Sequence, residues 1–458
     1  MNRTDRSEGC CRAVWPKLLA IASFLLLSCT ALVRSQTQSN ASAEALLGAR
    51  LFHDDRFSSP AGDLLNSCSS CHLFDEDPQG VRARSDFFAR SWVPFRMEDP
   101  RRDALRNSPT IFDAASMPRL HFDGEFTSLE DLVKGTLSGR PMGWLEGEQN
   151  RAFTRVRDVV LRDVSTGNRE SYRSQFKGVY SVEVESLSRD EVVNLVAKAI
   201  SAFVRPMRSE RSTPYDRFIQ ANKLEAALEP GDDPKAFGKR TLDRIAALET
   251  RHELKLAAGF DAAALRGLKI FLATSGDSSV GNCVACHAPP LFTDFSFHNI
   301  GISQSEYDRV HGQGSFSELE IPNAARAVRP SAQFRETPVT KKPGCADLGY
   351  WNFADLKKSP NRRAAESDDQ FLQRMIGTFK TPTLRNLEFS PPYMHTGGFA
   401  TIEDALGELM RLSELARAGE VRAADEELGK VRISGADIAP LTAFLQTLND
   451  DLRKTARR

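Results

Sequence analysis

The stretch Cys68-Ser69-Ser70-Cys71-His72 decides how the rest of this sequence is interpreted. Two cysteines three positions apart, followed at once by a histidine, form the pattern through which haem c is attached to a chain. Each sulfur adds to one vinyl group of the porphyrin, and the adjacent imidazole then lies below the iron as its proximal ligand. The pattern recurs at Cys283-Val284-Ala285-Cys286-His287. The sequence therefore predicts two covalently bound haem c groups, with His72 and His287 as iron ligands.

Zinc binding is the alternative interpretation of a single such motif, because CxxC pairs also hold zinc. A structural zinc site needs four ligands, and neither motif has a second CxxC pair beside it. Outside the two motifs and the first 35 residues, the sequence contains only Cys345 as a further cysteine, which excludes a disulfide framework. Two haem sites account for the cysteines best.

The composition is typical of a folded protein, and the balanced charge does not indicate a basic surface that would bind polyanions. The sequence has 458 residues, of which 41% are hydrophobic and 27% charged, as in a globular protein long enough for two domains. Lysine plus arginine and aspartate plus glutamate number 61 each, so the formal net charge is zero. A balanced chain offers no electrostatic reason to bind nucleic acid, and we expect no such partner.

The first 35 residues have the organisation of an export signal. Basic residues precede the apolar run 18–27, which is too short to span a bilayer as a helix. Two cleavage positions fit: Leu-Leu-Ser-Cys resembles a lipobox and would leave Cys29 lipidated, whereas Val-Arg-Ser up to Ser35 suits ordinary signal peptidase. Both alternatives predict export to the periplasm, the first with a lipid anchor.

Helical patterns surround both haem motifs, and no long alternating run predicts a sheet. Ser188 begins a capping box before apolar residues at helical spacing, and Asp261 precedes a helix that leads into the second motif. We predict a mainly α fold of two cytochrome c-like domains, each with one covalent haem c, joined by long irregular loops. The predicted units are a signal peptide (1–35), an N-terminal domain (36–205), an interdomain or inserted segment (206–260) and a C-terminal domain (261–458).

Further motifs resemble, in the same order, those of the bacterial di-haem cytochrome c peroxidase family, which includes the MauG-type enzymes. They are Arg106-Asn107-Ser108-Pro109-Thr110, Phe122-Asp123-Gly124, Phe292-Thr293-Asp294, Phe379-Lys380-Thr381-Pro382-Thr383-Leu384-Arg385-Asn386 and Pro392-Tyr393-Met394-His395. The resemblance covers about residues 43 to 448. It implies an exported oxidoreductase whose haem on His72 reacts with hydrogen peroxide, while the haem on His287 receives electrons from a small cytochrome c or cupredoxin.

The resemblance also implies a Ca²⁺ between the domains. Its ligands in the family are the asparagine side chain of the Arg-Asn-Ser-Pro motif and two carbonyls just before the histidine of the Pro-Tyr-x-His motif, here Asn107, Ser390 and Pro392. Such oxygen ligands suit a hard cation. Members of the family occur as monomers and as dimers, and the sequence leaves a homodimer open.

The chain departs from the family pattern around the first haem. Peroxidases of the family commonly have a histidine after the first haem motif that caps the resting iron, but no histidine lies between His72 and His121. As in the MauG branch, this implies an open or water-bound first iron that needs no reductive activation. Phe122 also replaces the tryptophan that the family places between the haems.

The family's distal glutamine and glutamate are replaced as well, since they fall near Leu132 and Pro141. Cleavage of peroxide needs a group that moves a proton between its oxygens. The nearest substitutes in sequence are His121 and Glu146, with Glu148 beside the latter. His121 can equally be a core histidine, and Glu146 a solvated residue.

The distal ligand of the second iron is a further departure. At the family's position for a methionine or tyrosine the chain has Leu409, and Met410 is the next residue. We predict Met410 as the ligand, because a thioether raises the potential of a haem. A core methionine is the alternative reading, and His298 and His395 are fallback ligands.

Three functions follow from these features. The preferred one is a peroxidase that reduces hydrogen peroxide with electrons from a small redox protein. The others are a MauG-like oxidase that modifies a protein or organic substrate, and a non-catalytic di-haem electron carrier. An open first haem that reacts with peroxide separates both enzymes from the carrier.

Overall fold

The computed structural model describes residues 43–72, 96–98, 106–276, 279–359 and 361–451, together with the backbone of two short strands. The predicted signal peptide, its two cleavage positions and Cys29 lie outside the described residues. Within the described ranges, no helix combines the length and the apolar character needed to cross a membrane.

Helices make up most of the regular structure, which confirms the predicted mainly α fold. The first half contains α1 (residues 43–52), α2 (Leu129–Leu137), α3 (Gln149–Arg162), α4 (Tyr172–Tyr180) and α5 (Arg189–Val204). The second half contains α6 (Pro214–Ala221), α7 (Pro234–Thr250), α8 (Ala262–Leu272), α9 (Ile302–His311), α10 (Ser315–Glu318), α11 (Asp368–Arg374), α12 (Ile402–Arg417) and α13 (Gly435–Gln446). Among the described residues, four short strands form two antiparallel pairs, β1 (Phe74–Glu76) with β2 (Arg82–Arg84) and β3 (Phe297–His298) with β4 (Phe379–Lys380).

The helix starts follow from local side-chain chemistry. Ser188 accepts a hydrogen bond from the backbone of Glu191, whose side chain bonds back to Ser188, so the predicted capping box begins α5. The Asp261 carboxylate accepts from the backbone N–H of Ala264 at 2.9 Å and begins α8. The helix that precedes the second haem motif is therefore fixed by its own sequence.

The same helix crossing occurs in both halves. A Cβ atom at Gly48 in α1 would lie 1.9 Å from the carbonyl oxygen of Ala199 in α5. A Cβ atom at Gly267 in α8 would lie 1.9 Å from the carbonyl oxygen of Pro440 in α13. Because only glycine allows so close an approach, each half packs the helix before its haem motif directly on a later helix, as expected for two related cytochrome c-like units.

The polar segment predicted between the domains also folds. It contains α6 and α7, whose buried residues Phe218, Phe237 and Ile245 belong to the same core as Phe271 of α8 and Phe444 of α13. A separate core in the first half packs α2, α3 and α5 together. A third core lies in the loop-rich part, centred on Tyr350 and Trp351. The domain boundaries remain predictions, but α6 and α7 pack with the C-terminal half.

A buried ion-pair network joins the two halves. The Arg106 guanidinium donates to Asp347 at 2.5 and 2.7 Å and to the fully buried carboxylate of Asp123. Burial alone would raise the pKa of Asp123, but the positive charges of Arg106 and Arg335 lower it below its usual value. Arg106 and Asp347 lie 241 positions apart in sequence, so this ion pair depends on the tertiary fold.

We predict that Arg106→Leu destabilises the protein by about 3–5 kcal/mol, because it removes the closest cation from two buried carboxylates. Denaturant unfolding at neutral pH measures this free energy. The pKa of Asp123 is lower in the folded protein than in the unfolded chain, where it is about 4. The ion pair therefore stabilises the protein above about pH 4, and this stabilisation is lost as the pH falls. The variant should differ least from wild type in acid. Arg173→Leu is the control: its pair with Glu185 is half-exposed, and we expect a change below about 1 kcal/mol. Equal losses in the two variants would contradict the network.

Candidate active site

Both haem motifs have the same local backbone. Cys68–Ser70 and Cys283–Ala285 each form a short 3-10 turn. The backbone N–H of His72 donates to the carbonyl of Cys68 at 3.0 Å, and that of His287 donates to the carbonyl of Cys283 at 2.8 Å. The predicted pentapeptides are thus two equivalent turns that each carry both sulfurs and the imidazole.

The imidazole of His287 is oriented by a backbone carbonyl. Its Nδ1 lies 2.8 Å from the carbonyl oxygen of Phe292. With a proton on Nδ1, the Nε2 lone pair is left to bind iron, which is the usual arrangement around metal-bound histidines. Burial lowers the pKa of His287 and so favours the neutral ring that a metal requires.

A cavity lies beside Cys68, Cys71 and His72. It encloses about 1320 Å³ of empty space, including its open mouth. Its wall is largely apolar and comes mainly from the first half, with a contribution from Lys380, Pro382 and Thr383 of the second half. Apolar residues of the wall are Ile111, Leu120, Leu132, Val133, Ile200 and Val204.

The groups in this cavity fit a covalently bound haem c. Cys68 is half-buried and Cys71 is buried, and burial raises the pKa of the Cys68 thiol to about 12. The hydroxyl of Ser201 also lines the cavity, is fully buried and has no hydrogen-bond partner among the described residues. An apolar space with two thiols, an imidazole and an unsatisfied hydroxyl matches a macrocycle that fills it.

His121 lies at the wall of this cavity, where a residue that transfers protons to a bound substrate must be. Its Nδ1 is 3.4 Å from the carboxylate of Glu125, and the ring of Phe126 meets its ring edge-on at 5.0 Å between centroids. The backbone of His121 has φ +64°, a conformation that is uncommon for a residue with a side chain. A histidine backed by a carboxylate can accept and return a proton at its other nitrogen.

Glu146 does not reach the cavity. It is exposed and absent from the described lining residues, so the structure removes it from the candidate catalytic set. Its neighbour Glu148 accepts hydrogen bonds from Arg96 and Arg151, each at 2.5 Å. Proximity in sequence suggested both glutamates, but α3 begins there and directs the chain away from the site.

The part of the chain that contains the first haem motif matches a known family. A family model described as di-haem cytochrome c peroxidase matches residues 42–224. Residues 42–224, less than half of the chain, are thus similar to this family. Proteins of the family are oxidoreductases with two haem groups, and the two haem motifs of this chain fit that description.

Two relatives illustrate the range of the family. Cytochrome-c peroxidase IdrP1 of Denitromonas iodatirespirans is 24% identical over 406 residues, which cover 88% of this chain and 80% of the relative. Methylamine utilization protein MauG of Methylophilus methylotrophus is 22% identical over 407 residues, which cover 89% and 82%. Among solved structures, the diheme peroxidase BthA from Burkholderia thailandensis E264 has a TM-score of 0.53 at 20% identity, covering 89% of this chain and 86% of that one. This structural likeness supports the fold.

Among the ligands considered for the second haem, Met410 remains the prediction. It is half-buried in α12 and packs against the same core as Cys283. His298 is a poor fallback, because Asp294 and Asp425 hold its two ring nitrogens at 2.8 and 2.7 Å. Burial lowers the pKa of His298, but the two carboxylates raise it far above its usual value, and a protonated ring cannot bind iron.

His395 is buried and stacks on Phe379, with ring centroids 3.5 Å apart. Its backbone carbonyl accepts the N–H of Asn107 at 2.8 Å. These contacts lie where the two halves meet. His395 therefore has a packing role in this structure, in the same segment that holds the predicted Ca²⁺ ligands.

Two of the three predicted Ca²⁺ ligands lie next to each other. The side-chain amide of Asn107 is 2.7 Å from the carbonyl oxygen of Pro392, and its buried Oδ1 has no partner among the described residues. Ser390 is half-buried two positions before Pro392 on the same segment. The contact spans almost 300 positions of sequence and joins the two halves.

Sequence reasoning missed two residues at the first site, Glu125 and Lys380. Glu125 lies four positions after His121, but a turn rather than a helix brings the two side chains together, so the sequence spacing did not indicate the pair. In the sequence, Lys380 is only one residue of the longer motif 379–386. Nothing in the local sequence shows that its side chain enters the cavity of the other half.

Proposed function

We propose that this protein is an exported di-haem peroxidase that reduces hydrogen peroxide at the haem on His72. In this proposal electrons enter at the haem on His287 from a small cytochrome c or cupredoxin. The supporting observation is the largely apolar cavity beside Cys68, Cys71 and His72, with His121 at its wall. Bound haem would supply the iron that accepts the peroxide and passes electrons to it.

The chain itself supplies the proton chemistry. Reduction of one peroxide to two waters consumes two electrons and two protons, and one proton must move from the inner to the outer oxygen. We assign this transfer to His121, whose carboxylate partner Glu125 lies on the Nδ1 side at 3.4 Å. Glu125 would hold the ring in place and stabilise it when it carries the proton, as carboxylates do for other catalytic histidines.

The structure contains a short connection between the two sites. The carbonyl of Phe292 holds His287, and the next residue, Thr293, donates its hydroxyl to the carbonyl of Thr381 at 2.7 Å. Pro382 then lines the cavity beside His72. This connection offers electrons a route of peptide and hydrogen bonds between the two haem motifs, without the tryptophan that Phe122 replaces.

A non-catalytic electron carrier is the second candidate function. Met117 and Met142 also line the first cavity, and a thioether bound to the first iron would block peroxide. The sulfur of Met142 already accepts a weak hydrogen bond from the Ser58 hydroxyl at 3.9 Å, and its side chain packs with Trp144 in a fully buried cluster. These contacts favour a structural role for Met142.

We predict that His121→Gln lowers kcat for peroxide reduction by at least about 100-fold, the usual contribution of a general acid–base group. The measurement is steady-state oxidation of a reduced small cytochrome c by the di-haem protein, followed by absorbance. Glu146→Gln is the matched control, since Glu146 is exposed away from the cavity, and it should retain wild-type turnover. Full activity of His121→Gln together with a loss in Glu146→Gln would reverse our assignment, and no turnover in wild type would favour the carrier.

We further propose that Ca²⁺ binds where Asn107 and Pro392 meet, with Ser390 as the third protein ligand. The closeness of the Asn107 side chain to the Pro392 carbonyl supports this, because a half-turn of the amide would place the unpartnered Oδ1 and the carbonyl on one cation. Such a cation would join the halves beside the network of Arg106.

We predict that chelation of Ca²⁺ lowers the Tm of the wild-type holoprotein and that excess Ca²⁺ restores it, because an ion that binds only the folded state stabilises it. Asn107→Ala should have a lower Tm that no longer responds to chelator or to Ca²⁺. Asn150→Ala, at an exposed helix position, should respond as wild type does. Thermal unfolding monitored by circular dichroism gives these values, and a response to chelator that persists in Asn107→Ala would rule out this site.

A further inference from the structure

A lysine of the C-terminal half lines the cavity of the N-terminal half. Lys380 belongs to β4, which pairs with β3 in the second half. Its backbone N–H donates to the carbonyl of Phe122 at 2.8 Å, and Lys380 is one of the residues that line the cavity beside His72. Strand β4 of the second half therefore places a positively charged residue at the cavity of the first half.

The charge of Lys380 is poorly compensated by the described residues. The side chain is only 9% exposed, and its one described hydrogen bond is to the carbonyl of Arg119 at 3.0 Å. Burial lowers the pKa of Lys380 to about 8, although Asp123 partly opposes this shift. Asp123 itself is engaged by the Arg106 guanidinium. Among the residues that the structure describes, no carboxylate forms an ion pair with Lys380.

A buried ammonium is strongly disfavoured unless an anion lies against it. Lys380 is the only lysine or arginine among the described residues of the cavity wall. Haem brings two propionate carboxylates into the space that it fills, and the rest of the macrocycle is apolar, as is most of the wall. Haem would therefore supply both an anion for Lys380 and an apolar body that suits the wall.

We propose that Lys380 forms an ion pair with a propionate of the haem attached at Cys68 and Cys71. The C-terminal half then provides an electrostatic anchor for the cofactor of the N-terminal half. This proposal rests on haem occupying the cavity, as the proposed function does, but it does not require peroxide turnover. It makes Lys380 a positioning residue that also sets the charge around the first haem.

Two measurable properties follow from the ion pair. A cation near the porphyrin edge favours the reduced iron, so Lys380 raises the reduction potential of the first haem relative to a neutral side chain. A hydrogen bond to the propionate also shifts the bending vibrations of that group. Because the second haem is held by the other motif, its potential should depend much less on Lys380.

The test uses the full-length protein with both haems and compares wild type with Lys380→Gln, Lys380→Arg and the control Lys134→Gln. Lys134 pairs with Asp131 at 2.8 Å on α2 and is not part of the cavity wall. Resonance Raman spectra report the propionate bending bands, and a spectroelectrochemical titration gives the potential of each haem. In Lys380→Gln we expect shifted propionate bands of one haem and a lower potential of the first haem only.

In Lys380→Arg the potential should stay near the wild-type value while the bands shift, because a guanidinium keeps the charge and changes the hydrogen-bond geometry. Lys134→Gln should leave bands and potentials unchanged. Unchanged bands and potentials in Lys380→Gln would overturn the proposal. If Lys380→Gln does not retain both haems, unchanged bands in Lys380→Arg would overturn it. Neither readout involves peroxide, so a shifted spectrum in a protein without peroxidase turnover would refute the proposed function and leave the ion pair standing.

Discussion

The extended segment from Phe379 to Arg385 is the constraint on which the arrangement of the two haem sites depends. Its Lys380 backbone bonds to Phe122 of the first half. Its Thr381 carbonyl accepts from Thr293, beside the loop that orients His287. The Arg385 side chain is almost fully buried and pairs with Asp216 of α6 at 2.8 and 2.9 Å. Displacement of this one strand would alter the cavity beside His72 and the support of His287 together.

Polar contacts, rather than a shared apolar core, hold the halves together around this strand. The described apolar cores lie within one half or the other, whereas Arg106 bridges Asp123 and Asp347, and Asn107 contacts Pro392. Such contacts are directional, so they fix one relative orientation of the two halves. A fixed orientation suits transfer of electrons between two cofactors, because the distance between them must stay constant.

The sequence predicted what depends on local chemistry and missed what depends on distant contacts. The two haem motifs and the caps at Ser188 and Asp261 are local, and the structure has the expected turns and helix starts at these positions. Asn107 and Pro392 were paired only through the resemblance to a family. Glu146 was a poor choice because closeness in sequence does not place a side chain in a cavity, and Lys380 was overlooked because its contacts are made by the other half.

We propose that the haem on His72 is open to peroxide while the protein is fully oxidised. Stopped-flow absorbance of the oxidised holoprotein mixed with hydrogen peroxide tests it most directly. An accessible cavity without a capping histidine predicts a rapid change of the Soret band in the first mixing, with no prior reduction. A spectrum that stays unchanged, both in the fully oxidised protein and after reduction of one haem, would contradict the account and leave a pair of haems that only carries electrons.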